Sequence, residues 1–247
     1  MTKYDILAAF ETEINKIDDV LNKPVTSDSF YWLQQAATKF TKTRFNGSAP
    51  KFTSFEQNEK RYKDLAGLVK MSQIVLSTNI PNNWPVSEDK FKGEILNNEG
   101  TINYYGLMPA DVMYVLTENA TITDLEDEHP YSTGVFECTT DTYSYRITNS
   151  LTDFHYKHHR ARPLRIRLTT SPTSNEGSRC VELVTDGNYK ISKYVITYLS
   201  YPNLDDITGW NDEIPFFTND TWPEIIKIAA QMYVENQSEP RYRTLTD

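Results

Sequence analysis

The sequence predicts an α+β protein in which N-terminal helices and a C-terminal helix form a helical subdomain, with an antiparallel β-sandwich or open barrel inserted between them. Three observations predict it. Apolar residues recur at threes and fours over 1–70, from Ser72 that spacing gives way to short β-branched and aromatic runs between turn residues, and a well-punctuated helix returns at Trp222. The expected boundaries are 1–70 with 221–247 for the helical part and tail, and 71–220 for the β part with its long loops.

Thr2 is placed to cap a first helix, and Ile6, Leu7, Phe10, Ile14, Ile17, Val20 and Leu21 form its stripe until Pro24 stops it. Thr26-Ser-Asp28 opens a second helix striped by Phe30, Leu33, Ala36, Ala37 and Phe40, closing at Asn46-Gly47 where glycine suits a C-terminal cap. A third is expected from Thr53 or Ser54 through Phe55, Tyr62, Leu65, Ala66 and Val69, with Gly67 a tolerated weak point. Strands are expected at 72–78, 101–107, 112–123, 135–139, 143–148, 164–169, 179–184 and 189–199. In two of them alternation assigns the faces. Tyr143, Tyr145 and Ile147 point inward against Ser144, Arg146 and Thr148, and Leu164, Ile166 and Leu168 point inward against Arg165 and Arg167. The last strand is apolar on both faces, which predicts a central position.

The polar connections 81–92, 124–133, 171–178 and 203–219 are long for structureless loops and read as arms engaged with a neighbour. Thr221-Trp-Pro-Glu224 has capping-box spacing, and Ile225, Ile226, Ala229, Ala230 and Tyr233 make the face of the helix that follows. The tail carrying Arg241 and Tyr242 has no partner in its own sequence, so it is frayed or docks elsewhere. The first and last helices are expected to touch.

Across 247 residues the net charge is −9 and the pI near 5.0, which argues against a dedicated nucleic-acid binder, whose face must be basic, but leaves room for a local basic patch. The 16 tyrosines suit either pleated strands or surfaces half-buried against partners. Cys138 and Cys180 lie far apart without metal-ligand spacing, and read as two reduced core thiols. Met1-Thr-Lys-Tyr-Asp lacks an apolar leader and no apolar run approaches the ~20 residues of a membrane span, so synthesis and folding in a cytoplasm are expected. The sequons Asn119-Ala-Thr and Asn219-Asp-Thr then go unused.

The densest titratable stretch runs from Asp153 to Arg162 and on to Arg165 and Arg167. As metal ligands only His155, His158 and His159 are available, and they lack an i, i+4 pair on one helix face and an acidic third ligand. No glycines of a nucleophile elbow surround a serine, and no glycine-rich phosphate loop exists, so neither an enzyme nor a cofactor is expected. Lys157, Arg160, Arg162, Arg165 and Arg167 do form a basic patch in an acidic chain. Three readings stay open for it: a solvated face, a salt-bridging surface for an acidic partner, or a lining that touches phosphates. Glu126, Asp127 and Glu128 are the complementary feature, solvated or in contact with a neighbour's basic patch. If Arg165 and Arg167 face outward, reversing both to Glu spares folding and impairs assembly.

The ending, from Tyr194-Val-Ile-Thr-Tyr-Leu-Ser-Tyr-Pro202 to Trp222-Pro-Glu-Ile-Ile-Lys-Ile-Ala-Ala-Gln-Met-Tyr-Val-Glu-Asn236, is similar to the C-terminal pattern of ring-forming tail proteins in crAss-like, short-tailed bacteriophages. More distantly it resembles head–tail adaptors of other podophages. What the resemblance implies is a virion protein, one subunit of a dodecameric ring below the portal whose bore passes DNA during genome ejection. Its partners would be copies of itself, the portal and other ring proteins, with no membrane. Trp222 and Tyr233 would lie on the ring-packing helix, and no catalytic residue carries over. A carbohydrate- or protein-binding β-sandwich with a helical appendage remains the alternative, on the strength of the four Trp and many Tyr.

Overall fold

The computed structural model describes residues 1–17, 24–46, 59–79, 100–124, 129–155, 161–166 and 180–238. They fall into two compact units, Met1–Val69 with Tyr201–Asp247, and Lys70–Ser200.

The helical unit contains α1 (Lys3–Ile17), α2 (Thr26–Asn46), α3 (Glu59–Leu65), two 3-10 turns (Ala66–Leu68 and Leu204–Asp206) and the C-terminal helix Trp222–Ser238. Thr2 caps α1 reciprocally. The Asp5 amide donates to Thr2 Oγ1 at 3.2 Å and the Thr2 amide donates to Asp5 Oδ2 at 3.0 Å, satisfying two orphan donors. The bond from the Thr2 amide holds the Asp5 carboxyl below the ordinary carboxylate value. Ile6, Phe10 and Ile14 are buried. Phe10 of α1 and Trp32 of α2 both meet Tyr233 of the C-terminal helix edge-on, at 6.4 and 6.3 Å between ring centroids.

Three features of this unit differ from the sequence reading. Helix α3 stops at Leu65, tightens into the 3-10 turn, and Val69 opens a strand. Gly67 is a requirement there, because a Cβ would stand 2.6 Å from the Phe216 carbonyl oxygen and closer still to that of Pro215. The stretch 203–219 is no free arm: the Leu204 amide donates to Gln34 Oε1 at 2.8 Å and Lys3 Nζ donates to the Ile207 carbonyl at 2.9 Å. It belongs with the helices, so the division falls after Ser200. At the C-terminal helix, the Thr221 amide donates to the Thr218 carbonyl at 3.0 Å, and Glu224 pairs with Arg44, so no reciprocal box forms. Val20, Leu21, Gly47, Thr53, Ser54 and Phe55 lie outside the described residues.

The second unit takes β1 (Val69–Ile74), β2 (Ile102–Leu107), β3 (Val112–Asp124), β4 (Pro130–Gly134), β5 (Phe136–Cys138), α4 (Thr140–Thr148), β6 (Leu164–Ile166), β7 (Cys180–Thr185) and β8 (Tyr189–Ser200). The C-terminal helix is therefore α5. Two four-stranded sheets form, ordered β1-β8-β3-β4 and β2-β7-β6-β5. β5 and β6 run parallel, while β3 with β4, β3 with β8, β2 with β7 and β6 with β7 are antiparallel. The arrangement is sandwich-like and not a closed barrel, and β8 is central in its sheet. Tyr104, Val181 and Leu183 of one sheet pack with Ala120, Ile122, Tyr194 and Ile196 of the other. α4 covers the opposite face of the second sheet, packing Tyr143 and Ile147 on Leu164, Ile166 and Val184.

Residues 143–148, expected as a strand, are thus helical. Tyr143 and Ile147 are one helical turn apart as well as an even number apart, so both periods bury them. Tyr145 decides between the periods, since it is 64% exposed where a strand would bury it. β4 occupies a stretch that was expected to be loop. Both cysteines are free, Cys138 buried and Cys180 half-buried. Among the described residues no helix is long and apolar enough to cross a membrane.

Candidate functional site

Within the basic patch, Arg165 is opposite Leu183 in the β6–β7 register, so its side chain shares Leu183's face, the one between the sheets. The outward placement expected for it is overturned. Arg165 Nε lies 2.7 Å from Glu118 Oε1 on β3, and a terminal guanidinium nitrogen lies 3.2 Å from Glu137 Oε2 on β5. Tyr194 of β8 donates its hydroxyl to Glu118 Oε2 at 3.2 Å. The Arg165 side chain is 14% exposed and that of Glu118 9%. Burial lifts the Glu118 carboxyl above the ordinary carboxylate value, against the pull of Arg165. Burial works most strongly against the Arg165 charge, but Glu118, with help from Glu137 and Tyr194, outweighs it and raises the guanidinium's pKa. This is a bolt between two sheets. Alternation alone misread it because strand period fixes a face and not whether that face is wet.

Arg162 stays outward, its side chain 51% exposed and 3.9 Å from Asp153, whose carbonyl accepts from the Arg162 amide at 2.7 Å. His155 Nε2 donates to the Ile147 carbonyl at 2.9 Å, satisfying an acceptor near the end of α4. Lys157, His158, His159, Arg160, Arg167, Glu126, Asp127, Glu128, Arg241 and Tyr242 lie outside the described residues. Among the described residues no group of three or more His, Cys, Asp or Glu is placed to hold a metal ion.

Trp222 and Tyr233, expected at a partner contact, are 0% and 4% exposed. They build the interior of the helical unit, where Trp222 meets Phe217 edge-on at 5.3 Å. The exposed apolar surface lies elsewhere. On the helical unit Tyr4, Tyr31 and Trp210 are 61%, 56% and 50% exposed. On the sandwich Val75 is 85% and Leu107 56% exposed, and both line an open groove of about 440 Å³ with Ile74, Gly106 and Met108. The signal for Trp210 was present in Thr208-Gly-Trp-Asn-Asp212: a tryptophan without apolar neighbours has no stripe to join.

Neither a protein-family model nor a curated protein matches this chain.

Proposed function

We propose that this chain is a structural subunit of an oligomeric ring in the portal–tail connector of a short-tailed bacteriophage, forming part of the conduit for genome ejection. The observation that carries the reading is that each unit presents its own exposed apolar surface: Tyr4, Tyr31 and Trp210 on the helices, Met71, Val75 and Leu107 on the sandwich. A closed ring joins unlike surfaces of successive subunits, so each subunit needs two different ones. The net charge of −9 adds support, since an acidic conduit passes DNA without trapping it. Exposed Trp210 and Tyr4 also suit stacking on sugar rings, which favours the glycan-binding module as the second reading.

Light scattering and negative-stain imaging of purified protein, alone and with the portal protein, separate the two. Rings or large oligomers are expected. Protein that stays monomeric beside the portal and is retained on glycan resin would overturn the connector.

A further inference from the structure

Trp210 is exposed and yet held firmly. Its ring meets Phe30 of α2 at 5.7 Å and 60°, and its carbonyl accepts from the Tyr4 amide of α1 at 3.0 Å. The turn carrying it is tied by the Gly209 amide donating to Asp212 Oδ2 at 3.1 Å. Just upstream, Asn203 Nδ2 donates to Asp206 Oδ1 at 2.7 Å. A large aromatic ring fixed in place and left half in water loses little freedom on binding, which is the property of an interface anchor.

Its surroundings carry one sign. Asp205, Asp206, Asp212 and Glu213 are all exposed, and none has an ion pair among the described residues. Of the nearby cations, Lys3 is turned inward, its ammonium 4.7 Å above the Phe30 ring and bonded to the Ile207 carbonyl, and the Met1 ammonium is bonded to Asn219 Oδ1 at 2.6 Å. An aromatic face beside uncompensated carboxylates is a receptor for ammonium and guanidinium groups.

We infer that the Trp210 surface receives the basic stretch Lys157–Arg162 of a second copy of this chain. Charge complementarity selects the occupant: in a chain of net charge −9, that stretch places Lys157, Arg160 and Arg162 within six positions. At its described end, the Arg162 amide donates to the Asp153 carbonyl at 2.7 Å and the Arg162 side chain is 51% exposed. Receptor and occupant belong to different units of the chain, as joining unlike surfaces around a ring demands. The inference rests on the ring reading for its geometry but on local chemistry for its recognition.

The test titrates the full chain with a synthetic peptide of residues 153–163 at low salt, reading tryptophan fluorescence, and separately follows the oligomers of the wild type by sedimentation. Saturable binding is expected in which Asp205→Lys with Asp206→Lys, or Trp210→Ala, weakens affinity at least about tenfold with an unchanged circular dichroism spectrum. Absence of peptide binding, or equal binding by wild type and the charge-reversed variant, overturns the inference. Oligomers that survive charge reversal also overturn it and leave the ring reading standing. Peptide binding lost on charge reversal, in a chain that stays monomeric both alone and beside the portal protein, supports the surface's recognition of the stretch and removes the ring.

Discussion

The helical unit fills its interior with aromatic rings, whereas the sandwich threads hydroxyls and an ion pair through its own. Phe10, Trp32 and Tyr233 form one edge-to-face set among the helices, and Phe40, Phe217 and Trp222 another. Between and around the sheets, Tyr189 donates to the Phe154 carbonyl at 3.2 Å, Tyr198 to Asp111 at 3.1 Å and Tyr194 to Glu118, while the Tyr104 hydroxyl accepts from the Ile191 amide at 3.3 Å. The backbone explains the contrast. A helix satisfies its own amides and leaves the interior to apolar packing, but the β3–β8 ladder slips register between Thr121 and Ile122, beside Ile191. The Tyr104 hydroxyl supplies the Ile191 amide with a partner from the other sheet. The Tyr104 hydroxyl inside the sandwich therefore serves a ladder irregularity of a kind that helices lack, while the helical unit's own part-buried pair, Arg44 with Asp64 at 3.2 Å, joins side chains only.

Arg165 offers the sharpest way to break this contrast. Arg165→Glu sets a third carboxylate against Glu118 and Glu137, so the sandwich is expected to lose about 3–5 kcal/mol or fail to fold. Pairing Arg165→Met with Glu118→Leu should recover most of that loss, because no buried charge is then left alone. Denaturant unfolding reads both variants. An Arg165→Glu protein as stable as the wild type would mean that the guanidinium sits in water and the bolt does not exist.

On the helical side the equivalent test is Trp222, which is completely buried. Trp222→Ala is expected to cost about 3–5 kcal/mol by leaving a cavity beside Phe217. Trp222→Phe should cost less than its lost volume suggests, because the indole Nε1 is buried without a hydrogen-bond partner among the described residues and goes away with it. A Trp222→Phe variant as damaged as Trp222→Ala would show that the indole nitrogen is bonded, and that the helical interior depends on polar contacts too.

The same contrast governs what the sequence made legible. Helix stripes of α1, α2 and α5 translated directly, since Ile6, Phe10, Ile14, Leu33, Ala36, Ala37, Ile225, Ile226 and Ala229 are all buried. In the third stripe, however, Leu65 is buried while Tyr62 and Ala66 are exposed, because α3 tightens into a 3-10 turn after Leu65. Strand alternation placed Leu164 and Ile166 inside but put Arg165 on the wet face, because an ion pair supplied by a strand 47 positions away leaves no local mark. Trp222 and Tyr233 were misassigned for the opposite reason. Aromatics on a helix look alike whether they face the chain's own interior or a partner, and only the packing of Phe217, Phe10 and Trp32 decides. Trp210 was not singled out from the sequence, where its isolation from apolar neighbours was the available signal, and spacing alone could not show it pinned by α1 and α2.

The smallest expected effect tests the tyrosines of the sandwich. Burial pushes the Tyr198 hydroxyl up to about 12, helped by its bond to Asp111, and burial raises Tyr104, Tyr189 and Tyr194 as well. Each folded value lies above the ~10 of an unfolded tyrosine. Their contribution is therefore fully present below pH ~10 and drains away as pH rises through the folded values. Circular dichroism and tyrosinate absorbance should show the sandwich melting in this alkaline window. Tyr198→Phe isolates one member: at neutral pH it should cost about 1 kcal/mol, since Asp111 keeps its 2.7 Å pair with Lys70. Phenylalanine does not titrate, so the stability gap between variant and wild type should close between pH ~10 and the folded value of about 12. A gap that stays constant across that window would place the Tyr198 hydroxyl in solvent and reduce the polar interior to the Arg165 bolt and the remaining hydroxyls.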